Sequence, residues 1–177
     1  LPFIRYVQLT SGNFKATFFD SQVRAFLIIL ISITVILFSW LMFQQTHTIE
    51  YALRKTLFNG VSILTGTGYS SDNYMLWGSF PISIFFVIGL IGGCAGSTTC
   101  SIKVFRFQIL FSAIGSQIKQ MHFPSAVVAT RYEGKRVSVD IVSSVIAFFI
   151  LFFASLFLIA LALSATGLDF VTAISGA

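Results

Sequence analysis

Leu64-Thr65-Gly66-Thr67-Gly68-Tyr69-Ser70-Ser71 lies in the gap between two long apolar runs, just after a short amphipathic segment. Glycine and hydroxyl residues at this density offer almost no apolar surface, so packing does not account for them. They suit a backbone that runs extended, turns its carbonyls one way and accepts a dehydrated ion. The surrounding order is span, re-entrant half-helix, Gly/Thr strand, span, which is the layout of a cation-selective pore. The alternative is an external loop after a short buried helix. That reading explains the glycines but not the amphipathic half-helix that brings them to membrane depth.

The composition sets the solvent. The chain of 177 residues is 56% hydrophobic and 10% charged, with a mean hydropathy of +0.90, whereas a soluble domain carries about 25% charged residues. Three uncharged stretches, residues 25–49, 73–102 and 141–168, each exceed the roughly 20 apolar residues that cross a bilayer. The chain reads as an all-α integral membrane protein. Its net charge of +5 comes from bases scattered at span ends, with no continuous patch for nucleic acid. The first residue is Leu1 and the last Ala177, and both ends read as cut from something longer. Cys94 and Cys100 have no histidine or carboxylate nearby in sequence, so they read as small packing residues and not as a metal or disulfide pair.

In chain order, residues 1–22 are mixed and short of a span, with Ser21 a helix cap for the first span at residues 25–43. Trp40 near the far end of that span suits the aromatic belt at an interface. Thr48 caps a helix over residues 49–64, with Glu50 in its first turn and apolar residues at Ile49, Leu53, Leu57 and Val61. At 1.5 Å per residue that helix is about 24 Å long. Because it carries Glu50, Arg54, Lys55 and Asn59, it dips into the membrane and does not cross it. The next span covers residues 80–114, with Pro81 tolerated in its first turn. Residues 118–138 form the largest polar connection, and the last span begins at about residue 139 and ends at Gly167. Alternating the spans puts nine bases, from Arg5, Lys15 and Arg24 to Lys135 and Arg136, on one side against Arg54 and Lys55. The nine therefore face the cytoplasm and the Gly/Thr segment enters from outside.

The backbone oxygens of Thr65, Gly66, Thr67 and Gly68 supply a carbonyl ladder, with a threonine hydroxyl at its inner end. The helix before them aims its negative end at the same place. A second unusual stretch, residues 92–101, packs ten small residues into an apolar run: Gly92, Gly93, Cys94, Ala95, Gly96, Ser97, Thr98, Thr99, Cys100 and Ser101. Gly89/Gly93 and Gly92/Gly96 have the spacing of close helix packing. Against that, the composition is poor helix material, and a loop there would obstruct the ion path as a gate. It is not a nucleotide loop, since no Lys-Ser or Lys-Thr follows at the required spacing. Lys103 and Arg106 snorkel to the cytoplasmic interface or contact a regulatory partner. His47 and His122 read as solvated loop residues. No nucleophile–base or paired-carboxylate arrangement occurs at membrane depth, so the chain does not read as an enzyme.

These residues resemble the superfamily of potassium transporters that includes the TrkH and KtrB types and their plant and fungal relatives. Thr65-Gly66-Thr67-Gly68-Tyr69 is similar to the family's T-x-T-G-F/Y filter, followed by Tyr74-Met75-Leu76-Trp77-Gly78. Gly92 to Thr99, with Ile102-Lys103-Val104-Phe105-Arg106-Phe107 behind it, resembles the intramembrane gate loop of the third repeat in bacterial members. The resemblance implies four helix–pore-loop–helix repeats around one pore, an architecture like that of potassium channels. Residues 1–22 would then end the preceding repeat, and residues 23–117 would form a complete one with filter 65–70 and gate loop 92–101. Residues 139–177 would open the next. It further implies potassium uptake across the plasma membrane, in bacteria the inner membrane, by a multi-pass protein. No cofactor is bound by this chain, and potassium, as substrate, is the one metal. The implied partners are the remaining repeats of the same polypeptide, a second copy in a homodimer, the lipid bilayer and a TrkA/KtrA-like nucleotide-binding subunit. Gly68 matches the filter glycine whose replacement by serine accompanies sodium permeation in some members. Cys100-Ser101 departs from the Gly-Gly usual there. The competing readings are a subunit of a tetrameric cation channel and a non-conducting accessory subunit.

Overall fold

The computed structural model describes residues 7, 10, 11, 20–44, 48–99, 101–123 and 129–176, apart from the side chains of Phe170 and Val171. His47 and Cys100, and Arg5 and Lys15 of the charge count, lie outside the described residues. The fold is all-α apart from one small hairpin, and it divides into two compact units, Leu1–Phe107 and Gln108–Ala177.

The first unit begins with α1, Ser21–Phe43, one of two helices among the described residues that are long and apolar enough to cross a membrane. Its cap is Asp20 and not Ser21: the Asp20 carboxylate accepts from the amides of Gln22 (2.8 Å) and Val23 (3.4 Å). A carboxylate can take two of the orphan first-turn amides and also favours the positive helix end, so it displaces its serine neighbour. Helix α2, Ile49–Leu64, starts at Thr48, whose hydroxyl accepts from the Tyr51 amide. It packs on α1 through Ala52, Thr56 and Gly60, all buried, and a Cβ on Gly60 would lie 3.8 Å from Ile33 Cγ2.

Ile49, Leu53 and Leu57, the apolar stripe of α2, are exposed, whereas the buried strip is small or polar: Ala52, Thr56, Asn59 and Gly60. In lipid the surroundings are as apolar as the side chains, so helices meet through small residues that allow close approach.

A 3₁₀ turn at Tyr74–Trp77 leads into α3, Ser79–Gly89. The turn is tied back to α1, where Trp40 Nε1 donates to the Trp77 carbonyl at 3.2 Å and the Trp40 and Phe80 rings sit 4.7 Å apart. Trp40 therefore anchors the chain after the Gly/Thr segment as well as suiting an interface. Leu37 and Leu41 of α1, Leu64, Trp77, Phe85, Ile88, Cys94 and Val104 belong to one buried cluster.

The expected span over residues 80–114 is discontinuous. Helix α3 ends at Gly89, the chain loops over residues 90–103, and α4 runs Val104–His122. An 11-residue helix is about 16 Å long, too short to cross alone. Helix α4 continues past residue 117, and His122 is its last residue and not a loop residue; with Lys119 it complements the negative helix end.

In the second unit, Arg131–Tyr132 (β1) pairs antiparallel with Lys135–Arg136 (β2) around Glu133-Gly134, both at positive φ. Helix α5, Val139–Ala165, is the second membrane-length helix. Its phenylalanines stack one turn apart, Phe148 on Phe152 at 6.0 Å and Phe149 on Phe153 at 6.5 Å. Gly167, at φ 89°, turns the chain. The short α6, Phe170–Gly176, then folds back so that a Cβ on Gly176 would lie 3.4 Å from Leu163 Cδ1.

Candidate functional site

The C-terminal turn of α2 hands directly into the Gly/Thr segment. The Thr65 amide donates to the Val61 carbonyl (2.9 Å), Gly66 to Ile63 (3.0 Å) and Thr67 to Ser62 (2.9 Å). The amides of the segment's first half are thus turned back toward the helix. Among the described residues, nothing donates to the carbonyls of Thr65, Gly66, Thr67 or Gly68. Thr65 has φ −87° and Gly66 +70°, Thr67 is not in the positive-φ region, and Gly68 is at +79°. Alternation in the sign of φ lets successive carbonyls face one side, where a β-strand would point them alternately. Only glycine adopts the positive-φ positions without strain.

The hydroxyls order themselves. Thr65 Oγ1 lies 2.7 Å from the Val61 carbonyl and 2.7 Å from Thr67 Oγ1. A carbonyl only accepts, so Thr65 donates its one hydrogen to Val61 and Thr67 donates to Thr65. Lone pairs on both hydroxyls stay available at the segment's start. Tyr69, after Gly68, is 74% exposed.

The returning chain is held by side chains of α2. Asn59 Oδ1 accepts from the Ser71 amide at 3.0 Å, Lys55 Nζ donates to the Ser71 carbonyl, and the Tyr51 hydroxyl donates to Asp72 Oδ2. The bond to Asp72 raises the Tyr51 hydroxyl above its ordinary pKa, with burial adding to the effect. The same bond holds the Asp72 carboxyl below the usual carboxylate range despite burial, assisted by the Asn73 amide, the Lys55 charge and the Trp77 indole. The sequence reading passed over this strip. Its signal was the four-residue spacing of Tyr51, Lys55 and Asn59, hidden because the same polar residues served only as evidence against a span.

The small-residue loop is closed on itself. Its flanks pair as a parallel bridge between Ile91 and Ile102, with the Gly92 amide 2.8 Å from the Ile102 carbonyl and the Val104 amide 3.2 Å from that of Gly93. Ser97 Oγ donates to the Cys94 carbonyl at 2.6 Å and lies 2.6 Å from Thr99 Oγ1. The loop brings Gly93, Ser97 and Thr99 together, with Gly92, Gly93 and Cys94 buried and Gly96 and Thr98 exposed. Gln22 Oε1, in the first turn of α1, accepts from the Ala95 amide at 2.8 Å, and Lys103 Nζ donates to the Ser97 carbonyl at 3.3 Å. Lys103 is therefore engaged within the loop. Arg106 lies in the first turn of α4 with its Cζ 5.4 Å from the Phe105 ring centre.

Residues 18–175 match a family model described as TrkH, cation transport protein. The chain is 38% identical over its whole length to the Trk system potassium uptake protein TrkI of Halomonas elongata, covering 36% of that protein. It is 30% identical over 94% of its length to TrkG of Escherichia coli K12, covering 34% of that protein. The crystal structure of the potassium transporter TrkH from Vibrio parahaemolyticus superposes with a TM-score of 0.91 at 28% identity, covering 99% of this chain and 38% of that one. The chain thus spans about a third of the length of the relatives it matches.

Proposed function

The chain belongs to the TrkH family of cation transport proteins and is not an enzyme, and from that premise we propose that it contributes one part of a potassium-uptake pathway across a bacterial plasma membrane. Thr65, Gly66, Thr67, Gly68 and Tyr69 form one quarter of the selectivity filter, and residues 92–101 form the gate beneath it. The observation that carries this reading is the unpaired run of carbonyls at Thr65 to Gly68, alternating in φ at the negative end of α2. A cation that sheds water needs fixed oxygens in its place, and a half-helix C-terminus favours positive charge there. The naming of the relatives as potassium uptake proteins supports potassium as the ion. The other repeats of the polypeptide complete the ring, a second copy makes a dimer, and a TrkA/KtrA-like nucleotide-binding subunit acts on the gate from the cytoplasm.

The test is rubidium uptake by potassium-uptake-deficient bacteria carrying the protein expressed from its complete gene. Gly68 has open space around a would-be Cβ but φ +79°, so serine or alanine there strains the backbone and turns a carbonyl without any clash. Gly68→Ser and Gly68→Ala should both lower rubidium-over-sodium discrimination at least about tenfold, equivalent to about 1.4 kcal/mol of differential coordination. Wild-type discrimination in both variants would remove the filter assignment.

A further inference from the structure

The first half of the Gly/Thr segment is anchored by α2's last turn, through the Thr67 amide on the Ser62 carbonyl. Among the described residues, the amides of Gly68, Tyr69 and Ser70 then donate to nothing. The next anchor is Ser71, whose amide and carbonyl are both taken by α2 side chains, Asn59 and Lys55, while Tyr51 takes the neighbouring Asp72 carboxylate. Residues spaced four apart share one strip of a helix, so Tyr51, Lys55 and Asn59 form a ladder alongside the returning chain. The ammonium of Lys55 also sits 5.6 Å from the centre of the Tyr51 ring, which restricts where that long side chain can go.

Asn59 is the most deeply buried of the three. It is 1% exposed, its Oδ1 serves the Ser71 amide, and among the described residues its Nδ2 has no acceptor. Burying an unpaired amide donor is unfavourable, and an apolar side chain of similar size would avoid it.

We propose that Tyr51, Lys55 and Asn59 are positioning residues for ion selectivity: by holding Ser71 and Asp72 against α2 they set where the carbonyls of Gly66, Thr67 and Gly68 stand. The proposal rests on the filter reading above and adds residues that touch no ion. Small displacements of coordinating groups are costly, because selectivity depends on field and spacing at the site.

The experiment measures rubidium KM, maximal rate and rubidium-over-sodium discrimination for the complete protein carrying Lys55→Met, Asn59→Leu, Arg54→Met or Gly68→Ser, each at quantified membrane abundance. Arg54 is exposed on the same helix, so Arg54→Met removes an equal charge without touching residue 71. Lys55→Met and Asn59→Leu should each reduce discrimination by roughly tenfold, equivalent to about 1.4 kcal/mol of differential coordination. They should raise KM more than they lower the maximal rate, while Arg54→Met matches wild type. Should Lys55→Met fail to reach the membrane, Asn59→Leu decides alone, because it frees the Ser71 amide from α2 with little change in side-chain size. Discrimination unchanged in Asn59→Leu while Gly68→Ser relaxes it overturns the strip and leaves the filter standing. Discrimination unchanged in Gly68→Ser overturns the filter, and the strip proposal falls with it.

Discussion

Gly93→Ala tests whether the small-residue loop is a closed element with a defined interior. A Cβ on Gly93 would overlap Thr99 Oγ1, lie 2.7 Å from Ser97 Oγ and stand 3.3 Å from Thr99 Cβ. The two hydroxyls can swing away only by giving up their mutual 2.6 Å hydrogen bond and the 2.6 Å bond from Ser97 to the Cys94 carbonyl. Thr99 Cβ cannot swing at all and must move with its backbone. Overpacking of this kind costs about 1–3 kcal/mol, and each lost hydrogen bond adds about 1 kcal/mol. If the compact loop is the closed gate, even about 2 kcal/mol shifts the closed-to-open ratio by about 30-fold. The assay is rubidium leak in potassium-uptake-deficient bacteria, together with the thermal midpoint of the purified protein. Gly93→Ala should leak and should melt lower. Gly89→Ala is the control: nothing lies within 4 Å of its would-be Cβ, and alanine favours the helix by up to about 1 kcal/mol. A Gly93→Ala protein with wild-type leak and wild-type midpoint would refute the reasoning.

Gln22→Leu removes the acceptor of the Ala95 amide, which ties the loop to α1. It should raise the same leak by roughly fivefold to tenfold, as expected for about 1 kcal/mol of lost bonding, without altering rubidium-over-sodium discrimination. The Tyr51–Asp72 bond makes the outer anchor acid-sensitive. Because the folded Asp72 carboxyl lies below its ordinary value, its contribution is complete above the unfolded pKa and is lost as pH falls through the folded one. Tyr51→Phe removes the largest cause of that depression, while the Asn73 amide, Lys55 and the Trp77 indole remain. In proteoliposomes, Tyr51→Phe should therefore show lower discrimination already at neutral pH, and what remains should fail at a higher pH, nearer the ordinary carboxylate pKa of about 4, than in wild type. Identical acid limits in the two proteins would count against the bond.

Much of the architecture was written locally. About twenty mostly apolar residues without a charge, as in α1 and α5, have one solution in a bilayer. The Thr48 cap and the Glu50 first turn mark where α2 begins. Two glycines two residues apart at Gly66 and Gly68 announce positive φ wherever the chain goes next. The small residues after Gly89 left close helix packing and a break both open, and the structure has the break. These signals, with the family motifs, sufficed to place the chain in the TrkH family. The hairpin at Glu133-Gly134 was also local, since a two-residue turn ending in glycine between short extended segments is its signature, but a polar connection was expected there instead.

What only the tertiary structure decided was which residues face which. Ile49, Leu53 and Leu57 form the apolar stripe of α2, yet Ala52, Thr56, Asn59 and Gly60 are the residues buried. In water, hydrophobicity tells inside from outside. In lipid both are apolar, so periodicity gives the helix but not its orientation, and close packing of small residues decides. Lys103 was read as pointing to the cytoplasm, and it reaches the Ser97 carbonyl. Lys55 and Asn59 were read as obstacles to spanning, and they hold Ser71 from 16 and 12 residues away. Gln22 meets Ala95 across 73 residues. Hydropathy and propensity are properties of neighbours in sequence. A hydrogen bond between distant residues exists only once the helices have packed, and its partner is chosen by that packing.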